Sequence, residues 1–168
     1  PWAQERFNLS RPLHGPRTAS ATASNAAEIQ CFPMGFPATY YRPRPFEILQ
    51  LPNRVVMLFE VGNFWRIVYM DGRDFPEVPL HSWNGYSIGH YEGDTLVIET
   101  IGFAAGVLVP HPGLVHSNEM KIVERLTLAE EGNLLLRAYE VTDPKYFTKP
   151  YTGNSSWTRS DIPVSPYN

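Results

Sequence analysis

FEILQLPNRVVMLFEVGNFWRIVYM, residues 46–70, alternates short runs of strand-forming residues with compact turn formers. Phe46 to Gln50 and Arg54 to Glu60 flank Leu51-Pro52-Asn53. There Pro fixes φ and Asn tolerates the bent backbone that a hairpin tip needs. Val61-Gly62-Asn63 then turns the chain into Phe64 to Met70. In that run Phe64, Arg66, Val68 and Met70 alternate with Trp65, Ile67 and Tyr69, a period of two, which is the period of a strand and not of a helix.

The same rhythm continues toward the C-terminus. Asp71-Gly72-Arg73 is a turn signal. Tyr86 to Tyr91 and Thr95 to Ile101 flank Glu92-Gly93-Asp94. Glu119 to Leu128 and Leu134 to Thr142 flank Ala129 to Asn133, and Phe147 to Arg159 supplies a last extended stretch. About eight short sequential strands predict an all-β fold, an antiparallel up-and-down barrel or curled sheet, since closure removes exposed edges. Leu134-Leu135-Leu136 is apolar on both faces, so one face is expected to meet the core and the other the arm or a partner.

Residues 1–45 read differently, as an extended Pro/Ala/Ser-rich arm beside the β domain of residues 46–168. Leu13 to Asn25 offers few large apolar groups to offset its ordering entropy. Ala23 to Gln30 is at most a short helix, and Arg42-Pro-Arg-Pro reads as extended chain. Arg6, Arg11, Arg17, Arg42 and Arg44 against Glu5 and Glu28 give the arm +3 (5 − 2), which leaves −6 on the body for a total of −3. Arginines so widely spaced make a poor phosphate track, so nucleic acid is not an expected partner. An arm of this kind is ordered by docking, on its own body or on a protein partner.

The 168 residues fit one domain, and the 16 prolines disfavour a helical one. No run approaches the ~20 apolar residues of a membrane helix. The chain begins at Pro1, so a removed export signal is expected. Cys31 is the single cysteine and excludes an internal disulfide.

Several constellations invite chemistry. Gly85-Tyr86-Ser87-Ile88-Gly89 fits G-x-S-x-G, but a nucleophile elbow needs a strand-to-helix turn, and His90 to Thr100 reads as hairpin. Close packing at a strand explains such glycines as well. Glu92 and Asp94 sit at a hairpin tip, where the acids serve the turn. Glu124 shares a face with Ile122, Leu126 and Leu128 and is expected to point inward. A buried carboxylate needs a partner, and Arg66 and Arg137 are the candidates, either as a structural pair or as a ligand-reading one. Glu60 and Glu99 are weaker cases. His111, His116 and Glu119 form a loose H-x4-H-x2-E spacing in a Pro/Gly loop, off the spacing that sets two imidazoles on one ion. Trp65, Tyr69, Trp83 and Tyr86 are candidates for an aromatic pocket, with core packing as the alternative. No cofactor is expected.

Tyr91-Glu92-Gly93-Asp94-Thr95-Leu96-Val97-Ile98-Glu99-Thr100-Ile101-Gly102-Phe103 resembles the WEGDTLVVDTVGF signature of a large family of predicted-secreted bacterial proteins without an assigned activity. Cys31-x-Pro-x-Gly-x-Pro, Pro45-Phe46-Glu47-Ile48, Asp71-Gly72-Arg73, Trp83 to Gly89 and Asp143-Pro144 resemble it too. The resemblance implies an exported β domain. The family pattern carries a histidine where Phe75 stands, and Gly-His-Pro-His-Ser-Glu where this chain reads Gly113-Leu-Val-His-Ser-Asn118. The first expectation is therefore a non-enzymatic periplasmic or secreted interaction domain, an accessory subunit whose protein partner meets the arm or an apolar sheet face. The second is a small-molecule-binding barrel oriented by Arg66 and Glu124, and the third a hydrolase using Ser87.

Overall fold

The structure is a computed structural model and describes residues 35–41, 44–109 and 114–161. Readings that fall on His14, Cys31, His111, the Ala23–Gln30 segment and the arginines at 6, 11, 17 and 42 lie outside these residues.

Eight strands form one curled sheet, a half-barrel. They are β1 (Phe46–Leu51), β2 (Arg54–Phe59), β3 (Phe64–Tyr69), β4 (Tyr86–Glu92), β5 (Thr95–Ile101), β8 (Lys121–Ala129), β9 (Leu134–Thr142) and β10 (Tyr151–Thr158). Their order is β1-β2-β3-β4-β5-β8-β9-β10. Strands β6 (Gly106–Val109) and β7 (Leu114–His116) form a separate two-stranded ribbon between β5 and β8 in the chain. The alternation read from the sequence sets the two faces. On β2, Val55, Met57 and Phe59 are buried while Val56 and Leu58 are only partly so, and on β8 the buried set is Ile122, Glu124 and Leu126.

Two features depart from a simple meander. Strands β3 and β4 pair parallel, through Val68 with Ser87 and Tyr69 with Ile88, so the sheet is mixed and not purely antiparallel. A parallel step needs a crossover connection longer than a hairpin loop, and residues 70–85 supply it. The second departure is that the curl does not close. Strands β1 and β10 end the order and, among the described residues, each is hydrogen-bonded along one side only. Across the gap the rings of Phe46 and Trp157 meet edge to face at 5.2 Å.

The concave face is filled by the chain itself. Gly35–Tyr41, ending in a 3-10 turn over Ala38–Tyr41, buries Phe36, Ala38, Thr39 and Tyr40 against it. Phe36 stacks on Phe103, and Tyr40 meets Phe46, Phe59 and Trp157. The end of the N-terminal arm is thus part of the core. Each large apolar side chain so buried stabilises by roughly 1.5–3 kcal/mol.

Candidate functional site

Strand periodicity brings three charged side chains together beneath that segment. Arg66 from β3, Glu124 from β8 and Arg137 from β9 all point into the concave face and are buried there. Arg66 Nη2 donates to Glu124 Oε2 at 2.5 Å, and Arg137 Nε donates to Glu124 Oε1 at 2.6 Å. Arg66 also donates from Nε to Ser87 Oγ (3.2 Å), from Nη1 to Tyr40 Oη (3.4 Å) and from Nη2 to Thr100 Oγ1 (2.8 Å). Ser87 and Thr100 share a hydrogen bond of 2.9 Å, and Tyr40 donates to Met57 Sδ at 3.0 Å.

Two cations against one anion leave this cluster one positive charge in excess. Aromatic faces meet that excess: Phe36 lies 3.8 Å from the Arg66 guanidinium, and Tyr40 and Tyr139 lie 4.7 and 4.2 Å from that of Arg137. A desolvated cation–π contact is worth up to about 2 kcal/mol. Arg137 is the less satisfied arginine. Its Nη1 reaches Ser155 Oγ only at 3.5 Å, and its Nη2 is buried without a hydrogen-bond partner.

These environments set the protonation states. Burial works to raise the Glu124 pKa, but Arg66 and Arg137 outweigh it and hold the carboxyl below the usual carboxylate range. Burial, together with the negative charge of Glu124, pushes the Tyr40 phenol up to about 12. Glu124 is therefore an ionised group with both oxygens occupied, which suits a structural clamp and not proton transfer, since a general acid or base needs reach to a substrate.

Ser87 stands at the second position of an extended strand, buried, with its hydroxyl held by Arg66 and Thr100. The strand-to-helix turn of a nucleophile elbow is absent, and β4 runs by hairpin into β5. The flanking glycines have a packing cause. A Cβ on Gly85 (φ +67°) would come within 2.8 Å of Ile101 O and 2.7 Å of a Thr100 methyl, and one on Gly89 within 2.8 Å of both Val68 and Met70.

The other candidates separate. Glu60 is largely buried at the side-chain level and lies 3.8 Å from Arg44. Glu99, on the outer face, pairs with Lys121. His116 is buried beside Phe103, with Nδ1 donating to Ser117 O at 3.0 Å, and burial depresses its pKa. Glu119 is linked to this region through its backbone N–H, which donates to Ser117 Oγ. Ser117 Oγ in turn donates to Asp143. Among the described residues no three His, Cys, Asp or Glu side chains are grouped as a metal site.

The four aromatics do not enclose a pocket together. Tyr69 and Tyr86 stack at 5.2 Å on the outer face under Arg73, which pairs with Asp71. Trp65 shares that outer face but is 59% exposed. Trp83 accepts the Phe36 N–H on its carbonyl at 2.9 Å, beside the concave segment.

A concavity lies elsewhere. At the mouth of the half-barrel, between β1 and β10, opens a cleft of about 740 Å3. Leu96, Leu126, Leu128 and Leu135 form its floor together with Phe46 and Trp157, and Arg44, Glu47, Asp94, Arg159 and Asp161 stand among its lining. Neither Arg66 nor Glu124 reaches it. The sequence signal for the cleft was Leu128, which shares the period of Glu124 but sits past the plugged core, at the hairpin end, and is 64% exposed.

Comparison with protein families, curated proteins and solved structures returns no match for this chain.

Proposed function

We propose that this chain is a non-catalytic interaction domain of an exported assembly, an accessory subunit working on the periplasmic or outer side of a bacterial membrane. The observation that carries this reading is strand β1. It is six residues long and, among the described residues, paired on one side only; Ile48, Leu49 and Leu51 on it are exposed, and Ile48 lines the apolar cleft. An unpaired apolar edge of that length is a template for an added strand, and proteins without a partner for it normally cover or charge it. The partner in this reading is an extended protein segment that pairs with β1 and sets alternate side chains in the leucine-floored cleft. Export rests on the resemblance at Tyr91 to Phe103.

The test is co-purification from the native source with the full chain and a Leu49→Lys variant side by side. A stoichiometric partner held by the native chain and lost from the variant is the expected result. A native chain that runs as a bare monomer, or a partner that both chains retain, would sink the reading.

The cleft supports a second reading, an apolar small molecule. Its volume falls within the range of roughly 300–1,000 Å3 typical of ligand sites. Such a ligand would be oriented by Arg44 or Arg159 at the rim and not by the buried Arg66 and Glu124. Saturable uptake of an apolar fluorescent probe, abolished by Leu126→Trp, distinguishes it from the edge-strand reading.

A further inference from the structure

The end strands β1 and β10 wall the same cleft and run in the same direction. From β1 to β10 the sheet takes six antiparallel steps and one parallel step, between β3 and β4. An eight-stranded meander without that parallel step would leave its end strands opposed. Backbone alternation shows which groups each edge offers. The Glu60 N–H donates to Pro45 O, so along β1 Glu47, Leu49 and Leu51 bond to β2, while Phe46, Ile48 and Gln50 aim theirs away from it. The Arg159 N–H donates to Asn133 O, so Thr158 aims its own away from β9 in the same manner. Phe46, Ile48, Gln50 and Thr158 all line the cleft.

We propose that the cleft is a slot for one extended segment of a partner protein, which lies between β1 and β10, pairs antiparallel with both and closes the half-barrel. This rests on the reading of β1 as a docking edge, and adds a second wall, a direction and a charge. Phe46 and Trp157 already meet at one end of the slot. Leu96, Leu126, Leu128 and Leu135 give alternate side chains of the segment an apolar floor. Strands β1, β4 and β8 all run toward the hairpin tips at the mouth, so a segment antiparallel to β1 begins there. Asp94 and Asp161 line that mouth, and Glu130 and Glu131 directly precede the lining Gly132. All four acids are exposed, against Arg54 and Arg159, while Glu92 is engaged by His90 at 3.2 Å. The segment that fits is apolar at alternate positions and basic at its N-terminal end.

Three synthetic peptides, titrated by calorimetry against the full chain, test the slot. They are Lys-Lys-Val-Thr-Val-Thr-Val, its isomer Val-Thr-Val-Thr-Val-Lys-Lys, and Glu-Glu-Val-Thr-Val-Thr-Val. The first is expected to saturate, with a dissociation constant about tenfold or more below those of the other two. The same titration is run on Ile48→Pro and on Thr158→Pro. Each proline deletes one N–H that faces the slot and leaves the ladder to the neighbouring strand intact. Each should weaken binding of the first peptide by about tenfold, because a carbonyl of the peptide is then left without its donor.

Undiminished binding by Thr158→Pro, beside a loss in Ile48→Pro, overturns the two-walled slot and leaves one-sided docking on β1 standing. Equal affinity for the two lysine isomers overturns the direction. No saturable binding by any of the peptides overturns the slot altogether, and co-purification still decides the β1 reading on its own. Should a proline variant fail to fold, amide hydrogen exchange on the native chain replaces it. Slower exchange at both Ile48 and Thr158 with the first peptide bound is then the expected result, and slowing at Ile48 alone overturns the second wall.

Discussion

Strands β8 and β1 carry their residues the opposite way round. The middle of β8 buries a charge, Glu124, completely, whereas β1 leaves Ile48, Leu49 and Leu51 in solvent. Burial of charge looks like a functional expense and exposed leucines look like ordinary surface, yet the partners reverse that impression. Glu124 has both oxygens engaged by guanidiniums and nothing left to offer a ligand. Among the described residues, the backbone of β1 has one whole side unpaired. What a group still has free, and not how unusual its setting is, decides where recognition can occur.

The most disruptive way to probe the contrast is Glu124→Ala. It leaves two buried guanidiniums facing each other without their counter-ion, and removing one partner of a buried ionic set costs about 3–5 kcal/mol. Urea unfolding should show a loss of that size. A loss below about 1 kcal/mol would mean that the cluster is hydrated and open, and would return it to the list of binding sites. Replacing the whole set, Arg66→Met with Glu124→Leu and Arg137→Met, should recover much of the loss, because the desolvation cost disappears with the charges. Ser87 and Thr100 would keep their mutual hydrogen bond in that variant.

Next in size is Gly85→Ala. The added methyl meets backbone at Ile101 O and must adopt a left-handed φ, so a cost of about 1–3 kcal/mol is expected from crowding and strain together. Ser87→Ala, in the strand that follows Gly85, should cost less, about 1 kcal/mol, the low end for a hydrogen-bonded polar group whose partners retain others. If the order were reversed, the glycine would owe its place to the serine and the elbow reading would regain ground.

These two sites also show what the sequence could and could not tell. The strands were legible because alternation and turn residues are local, and the inward aim of Glu124 follows from its spacing to Ile122 and Leu126. Which arginine it would meet was not legible, because Arg66 and Arg137 come from strands on either side of the curl and both arrive. The parallel step from β3 to β4 was missed because residues 70–85 carry no periodicity that records where the chain returns. The β6–β7 ribbon was missed because its strands are short and surrounded by Pro and Gly. The role of Phe36 and Tyr40 was hidden for a different reason: a segment held by ring-on-guanidinium contacts has no repeating pattern to display. Trp65 and Trp83 look alike in sequence, and only the order of the sheet puts one in solvent and the other beside the concave segment.

Acid titration separates two of the buried ionisable groups, His116 and Glu124, by pH window. The folded pKa of His116 lies below its unfolded value near 6.5, so the unfolded chain binds the proton more readily and stability falls as pH drops from about 6.5. Glu124 is also depressed, so its contribution is complete above the unfolded carboxylate value, about 4.3, and is lost only as pH falls below it. His116→Asn, whose amide can replace the Nδ1 donor to Ser117 O, should flatten the upper window and leave the lower one intact. The effect is smaller than that of Glu124→Ala because one neutral group with one partner is involved. A stability curve unchanged above pH 5 in this variant relative to the native chain would show that His116 is solvated when folded.

The smallest expected effect on stability is at β1, and it is the one that bears on function. Leu49→Lys and Leu51→Lys add charge at two partly exposed positions of an edge strand, so unfolding free energies should stay within about 0.5 kcal/mol of the native chain. Edge lysines are also a common means of blocking strand addition, since a charge on the unpaired side cannot be desolvated cheaply by an incoming strand. Stability and recognition should therefore separate in these variants: equal melting, lost partner. A Leu49→Lys chain that melts well below the native one would instead show that β1 is covered in the isolated protein, and the free edge on which the interaction reading depends would not exist.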